Sequence, residues 1–115
     1  MKSPNARSAE LLRSEGYTVA TAERWNPGAR RRVDLFGFID LVAIRPGETL
    51  GVQSTSATNF AARVSKTLGV EEALTWLRAG NRIVVHGWKK GGPRGKRKSW
   101  SHRERWLTAD DFMSQ

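Results

Sequence analysis

Apolar positions come in short runs punctuated by Gly and Pro, and their spacing switches between the period of a helix and that of a strand. Ser3-Pro4 starts a helix, with Ser as N-cap and Pro at the first helical position. That helix is expected to run to about Glu15 and stop at Gly16, with Leu11 and Leu12 as its main core contacts. Residues 17–25 are rich in β-branched and aromatic side chains and predict a strand, which Asn26-Pro27-Gly28 ends in a turn. A second strand is expected within 33–44, with Gly37 a bulge or bend. A third follows over 49–55 after a Pro46-Gly47 turn. Side chains alternate along a strand, so Gln53 and Thr55 share one face while Val52 and Ser54 point the other way.

Residues 59 to about 79 carry a helical pattern that ends at Gly80. Up to Leu68 the residues Phe60, Ala61, Val64 and Leu68 form one apolar stripe, with Asn59, Arg63 and Lys66 on the opposite face. After Gly69 the stripe shifts, which predicts a kink or a fresh helix start near Gly69-Val70. Ile83-Val84-Val85 reads as a strand buried on both faces and closed by Trp88. Residues 89–99 are Gly, Pro, Lys and Arg, a flexible basic loop. A last strand over 100–107 and a short helix capped by Thr108 complete an order of α-β-β-β-α-β-β-α. A meander, a crossover helix and a further strand imply an α/β protein with a mixed sheet and helices packed on it.

At 115 residues the chain is read as a single domain spanning 1–115. Nothing in it approaches the roughly 20 apolar residues of a membrane span, and Met1 to Arg7 lacks the apolar run of a secretory signal. The lack of cysteine excludes disulfides and thiolate metal sites, and fits a cytoplasmic protein. Lys and Arg outnumber Asp and Glu by 20 to 11, a net charge of +9. Such an excess works against compaction and favours a polyanionic partner. The charge is also clustered, in Arg30-Arg31-Arg32 and again from Lys89 to Arg105, as phosphate contacts require. Lys89, Lys90, Arg94, Lys96, Arg97 and Lys98 could lie along a nucleic-acid backbone, with Trp100 stacked on an unpaired base. The competing reading is a solvated surface, with the tryptophans used for packing.

Metal-assisted phosphodiester hydrolysis needs oxygen ligands for a hard cation and positive charge near the reacting phosphate. Asp40 opens one strand of an expected hairpin whose other strand carries Gln53, so the two side chains can meet around one ion. Gln53 would bind through its amide oxygen and Ser54 through its backbone carbonyl. Asp34 lies an even number of residues before Asp40, on the same side of a regular strand. Each has a plainer alternative: Asp40 capping a turn, Gln53 as a satisfied core amide, Asp34 paired with the arginine knot, Lys66 and Arg63 as a solvated helix face, Glu23 as the surface partner of Arg24. His86 and His102 alone cannot build a zinc site, and they are read as structural or close to DNA. No Walker, Rossmann or serine-triad pattern is present.

The element order, with Asp40 thirteen positions before Gln53 and Thr55 two beyond, resembles the PD-(D/E)XK nuclease superfamily, in its Holliday junction resolvase-like branch. The segments Val33 to Asp40, Gly51 to Thr55 and Arg63 to Lys66 look like those of small uncharacterised phage and prophage proteins, over roughly residues 3 to 88. Asp40 falls on the family's Asp, Gln53 on its Glu and Thr55 on its Lys. The resemblance implies a restriction-endonuclease-like fold and a Mg²⁺- or Mn²⁺-dependent DNA endonuclease acting on duplex or branched DNA. It further implies a homodimer working in the cytoplasm of a bacterial or phage-infected cell. Under it, Asp40 and Gln53 hold the metal with Asp34 assisting, and Lys66 supplies the cation that Thr55 lacks. Gln in place of Glu keeps an oxygen but loses a charge. The alternative is a non-catalytic DNA-binding protein on a degenerate nuclease fold, and a third reading is a basic surface that docks on an acidic protein.

Overall fold

A computed structural model describes residues 2–92 and 99–113. Ser3 caps the first helix, α1 (Pro4–Ser14), by accepting the Ala6 N–H at 3.1 Å, and Gly16 at φ +94° ends it. Strands β1 (Thr18–Thr21), β2 (Arg24–Asn26), β3 (Arg31–Val33), β4 (Leu41–Arg45) and β5 (Glu48–Ser56) follow. A 3₁₀ turn (Ala57–Asn59) leads into α2 (Phe60–Leu68) and α3 (Glu71–Arg78). The chain then forms β6 (Arg82–Gly91), β7 (Ser99–Leu107) and α4 (Ala109–Met113). Five strands make one mixed sheet in the order β1-β4-β5-β6-β7, in which β5 and β6 are parallel and the other neighbours antiparallel. The fold is therefore α/β, a mixed sheet flanked by helices.

Alternation along β5 and β6 divides the core in two. Leu50, Val52 and Val84 pack with Leu12 of α1 on one face. Ile83 and Val85 pack with Phe60 and Val64 of α2 and Ala73 of α3 on the other. Leu12 is buried as expected, whereas Leu11 is only half-buried; Ala9 takes the second core position on α1. The shift of the apolar stripe at Gly69-Val70 is a true break, because Val70 is extended (φ −98°, ψ 115°) and α3 starts afresh after it.

Three expectations change. The strand expected over 17–25 breaks at Ala22-Glu23, and residues 24–33 form a separate two-stranded hairpin, β2–β3. The strand expected within 33–44 starts only at Leu41. Residues 34–40 instead form a tight turn closed by a Leu35–Ile39 bridge, with Phe36 and Gly37 both at positive φ. Lys89, Lys90 and Gly91 belong to β6 rather than to a loop, since β6 and β7 pair out to Gly91–Ser99. Arg94, Lys96, Arg97 and Lys98 lie outside the described residues.

One polar cluster ties strand ends together. Tyr17 donates its hydroxyl to Glu48 (2.7 Å), which also accepts from Arg45 (2.8 Å) and Arg82 (2.9 Å), while the Arg45 guanidinium lies over the Tyr17 ring. Burial, and then the bond to Glu48, push the Tyr17 phenol up to about 12. Tyr17→Phe removes one hydrogen bond to a carboxylate and should cost about 1.5 kcal/mol. A lower urea midpoint at an unchanged slope would show it, and an unchanged midpoint would count against it.

Candidate active site

One end of the sheet collects the chemistry. The end of β1, the start of β4 and the ends of β5 and β6 meet there, because Thr21 pairs with Leu41, Leu41 with Val52, and Ser56 with Trp88. The start of α1 lies at the same end: Asn5 and Ala6 line a cleft with Thr21, Glu23, Arg32 and Leu41. In a neighbouring cleft Lys2 and Arg7 face Trp88, Lys89, Lys90 and Trp100.

Asp40 sits at the centre of this end and is buried. Its N–H donates to Val52 O (2.9 Å), its carbonyl accepts from Ala22 N (2.8 Å) and Glu23 N (3.3 Å), and its Oδ2 accepts from Ser54 N (3.0 Å). One residue thus joins the β1, β4 and β5 chains, its carboxylate bridging to β5 rather than capping a turn. The other carboxyl oxygens nearby are those of Asp34 and Glu23, and one from each of the three acids lies within 4.8 Å of the others. Burial pushes the Asp40 carboxyl up to about 7, helped by its hydrogen bond with Asp34 and by the charges of Asp34 and Glu23; the Ser54 N–H pulls the other way.

Strand alternation was the wrong reason to pair Asp34 with Asp40. Six residues of regular strand would hold them about 20 Å apart, and it is the turn over 34–40 that closes the distance. Glu23 was not expected here. Its nearest cation is Arg32, at 3.9 Å, rather than Arg24 beside it in the chain. The signal that could have found it is its place between a short strand and an arginine-rich turn, where a hairpin folds back.

Gln53 and Asp40 lie side by side in the backbone register, yet their side chains have different partners. Gln53 is buried, its Oε1 accepts from Thr67 of α2, and its Nε2 is buried without a hydrogen-bond partner. Ser54 uses its N–H on Asp40 and its hydroxyl on Ser8 of α1 (2.7 Å). Thr55 is buried. Lys66 is exposed in the last turn of α2, with the half-buried Arg63 one turn before it. Both therefore stand on the sheet face opposite α1.

The cationic residues split into two groups. Arg30, Arg31 and Arg32 are exposed on the β2–β3 hairpin, whose turn is held by Asn26 Oδ1 accepting from Gly28 N and Ala29 N. Trp25 stands among them, 58% exposed, a candidate stacking residue that the sequence pattern did not single out. Lys89 and Lys90 are exposed at the end of β6. The Trp100 ring is covered by the Arg7 guanidinium at 3.7 Å. Trp76 and Trp106 pack against the two halves of the core. No family model, curated protein or solved structure matches the chain. Among the described residues no helix is long and apolar enough to cross a membrane.

Proposed function

We propose that the chain grips DNA across this end of the sheet and hydrolyses its phosphodiester bonds with a divalent cation, on a nuclease-like version of the mixed-sheet fold. The observation that carries this reading is the meeting of Glu23, Asp34 and Asp40 in a protein of net charge +9, beside exposed arginines. Three carboxylates crowded together repel one another, and a divalent cation relieves that repulsion. Their oxygens suit a hard ion such as Mg²⁺ or Mn²⁺. The Gln53 amide oxygen accepts from Thr67 of α2, so this reading draws its ligands from the three acids rather than from Gln53.

Asp40 and Asp34 hold the ion, and Glu23 completes the set from the hairpin side. When bound, the cation would supply charge neutralisation and an acidified water. Asp40 must give up its proton to bind it, so activity is expected to rise as pH passes about 7. Arg30, Arg31 and Arg32 position the phosphates, with Lys89 and Lys90 on the far side. Lys66 and Arg63 belong to a separate face and take no part in this arrangement. Duplex and branched DNA are both candidate substrates, and a homodimer would place two sites on two strands.

A second reading has its own support. Thr55 is buried where a nuclease of this type carries lysine, and Gln53 is locked to α2, so the chain would bind DNA without cutting it. Incubation with a four-way junction, a duplex and a single strand, in Mg²⁺ and in Mn²⁺, separates the two. Cleavage supports the enzyme, and salt-sensitive binding without cleavage supports the binding module. In either case, replacing Arg30, Arg31 and Arg32 with Ala should flatten the plot of log K against log salt by about 2–3, since each lost phosphate contact removes about 0.9. An unchanged slope would mean that the hairpin does not touch DNA.

A further inference from the structure

We propose that His86, His102 and Glu104 form a second metal site, one suited to a borderline divalent ion such as Zn²⁺ or Co²⁺ and separate from the carboxylate cluster. The antiparallel register of β6 and β7 places His86 opposite Glu104 and Trp88 opposite His102. Residues two apart on a strand share a face, so all three candidate ligands project on the α1 side of the sheet. One ligand atom from each lies within 4.8 Å of the others. His102 Nε2 is 2.9 Å from Glu104 Oε1, and His86 Nε2 is 3.8 Å from the same oxygen, beyond hydrogen-bonding reach. Ligand atoms bonded to one tetrahedral ion at about 2.0–2.2 Å lie about 3.3–3.6 Å apart, a spacing that the 2.9 and 3.8 Å separations bracket.

The surrounding groups are those a metal site requires. A ligating imidazole is normally oriented by a hydrogen bond at its other nitrogen. His86 Nδ1 is 2.7 Å from Ser8 Oγ, which also accepts the Trp88 indole N–H at 2.9 Å and lies 2.7 Å from Ser54 Oγ. With Nδ1 protonated, Ser8 accepts from His86 and Trp88 and donates to Ser54, which leaves the Nε2 lone pair free to bind. Glu104 is held in the same way, its Oε2 accepting from the Trp106 indole at 2.7 Å. Trp88 lies against the His102 ring, with centroids 4.8 Å apart. His86 is buried, while His102 and Glu104 are partly exposed (24% and 39%). The site therefore opens to solvent on the β7 side, where a water or an incoming ligand can complete the coordination. Two imidazoles and one carboxylate select late first-row divalent ions over Mg²⁺.

The protein has only two histidines, so their imidazole proton signals can be followed directly in the intact chain. One equivalent of Zn²⁺ is expected to shift both sets together, and Co²⁺ is expected to produce visible ligand-field absorption that Zn²⁺ abolishes. His102→Ala and Glu104→Gln, both at partly exposed positions, should each weaken Co²⁺ binding at least tenfold, while Asp40→Asn leaves it within twofold. Histidine signals unmoved by Zn²⁺ would overturn the site. So would Co²⁺ binding that survives both β7 variants or disappears with Asp40→Asn. Because Asp40 is changed separately, failure here would leave the carboxylate cluster untouched as a proposal.

Discussion

Asp40→Asn is expected to remove cleavage and to stabilise the protein in the same stroke. Asparagine keeps an acceptor for the Ser54 N–H and a donor toward Asp34, so the junction of β1, β4 and β5 survives. It cannot offer a charged ligand. A bound cation contributes several kcal/mol to a phosphoryl transition state, so the rate should fall by about 10³-fold. The stability effect has the opposite sign. Folded Asp40 keeps its proton up to about pH 7, whereas the unfolded chain releases it near the ordinary value of 3.8. Between those values the folded state binds more protons, so stability falls as pH rises through the window, and the whole loss is present above it. The variant lacks that loss. At pH 8 it should be more stable by on the order of 2 kcal/mol, and at pH 3 the two proteins should converge. Mn²⁺ at a hundred times its dissociation constant should stabilise the wild type by about 2.7 kcal/mol and the variant by far less. A variant that cuts DNA as well as the wild type would end the enzymatic reading. One that is less stable at every pH would show that the buried carboxyl does not carry the strain described.

Gly87→Val should strongly destabilise the core. Strand propensity alone favours Val over Gly in the middle of β6. Packing reverses that preference. A Cβ at position 87 would lie 2.7 Å from Phe60 Cδ1 and 2.8 Å from Phe60 Cβ. Phe60 is buried at the first turn of α2 and cannot swing out without opening the core between α2 and the sheet. The clash should cost about 3 kcal/mol, the upper end for overpacking. Chemical denaturation of Gly87→Val, alone and combined with Phe60→Ala, tests the cause. The double variant should lose less than the sum of the two single losses, because Ala removes the ring contacts at 2.7 and 3.0 Å and leaves only the Cβ contact at 2.8 Å. Strict additivity would mean that the contact between the two positions is not what limits β6.

Several features were readable from local signals. The Ser3-Pro4 cap, the stop at Gly16, the Pro46-Gly47 turn and the restart at Val70 each depend on residues within a few positions of one another. The buried character of residues 83–85 likewise follows from their composition. The site was only partly legible. Asp34 and Asp40 were expected together, but through a regular strand that does not exist. Glu23 was assigned to its neighbour Arg24, and Gln53 to a metal rather than to Thr67. The two histidines had no visible partner, since Glu104 reaches His86 only through the pairing of β6 with β7.

What the chain alone determined is the helices and their caps, the Pro46-Gly47 turn, the two-sided burial of the central strands and the large positive charge, because each arises from short-range propensity or simple composition. The tertiary structure decided which side chains share a site. The turn over 34–40 brings its two acids together, the break before the separate hairpin delivers Glu23 and the hairpin the arginines, and the register of β6 with β7 sets two histidines edge to face beside a glutamate. These outcomes depend on loop closure and strand pairing across tens of residues, where a shift of one position would turn every side chain to the opposite face.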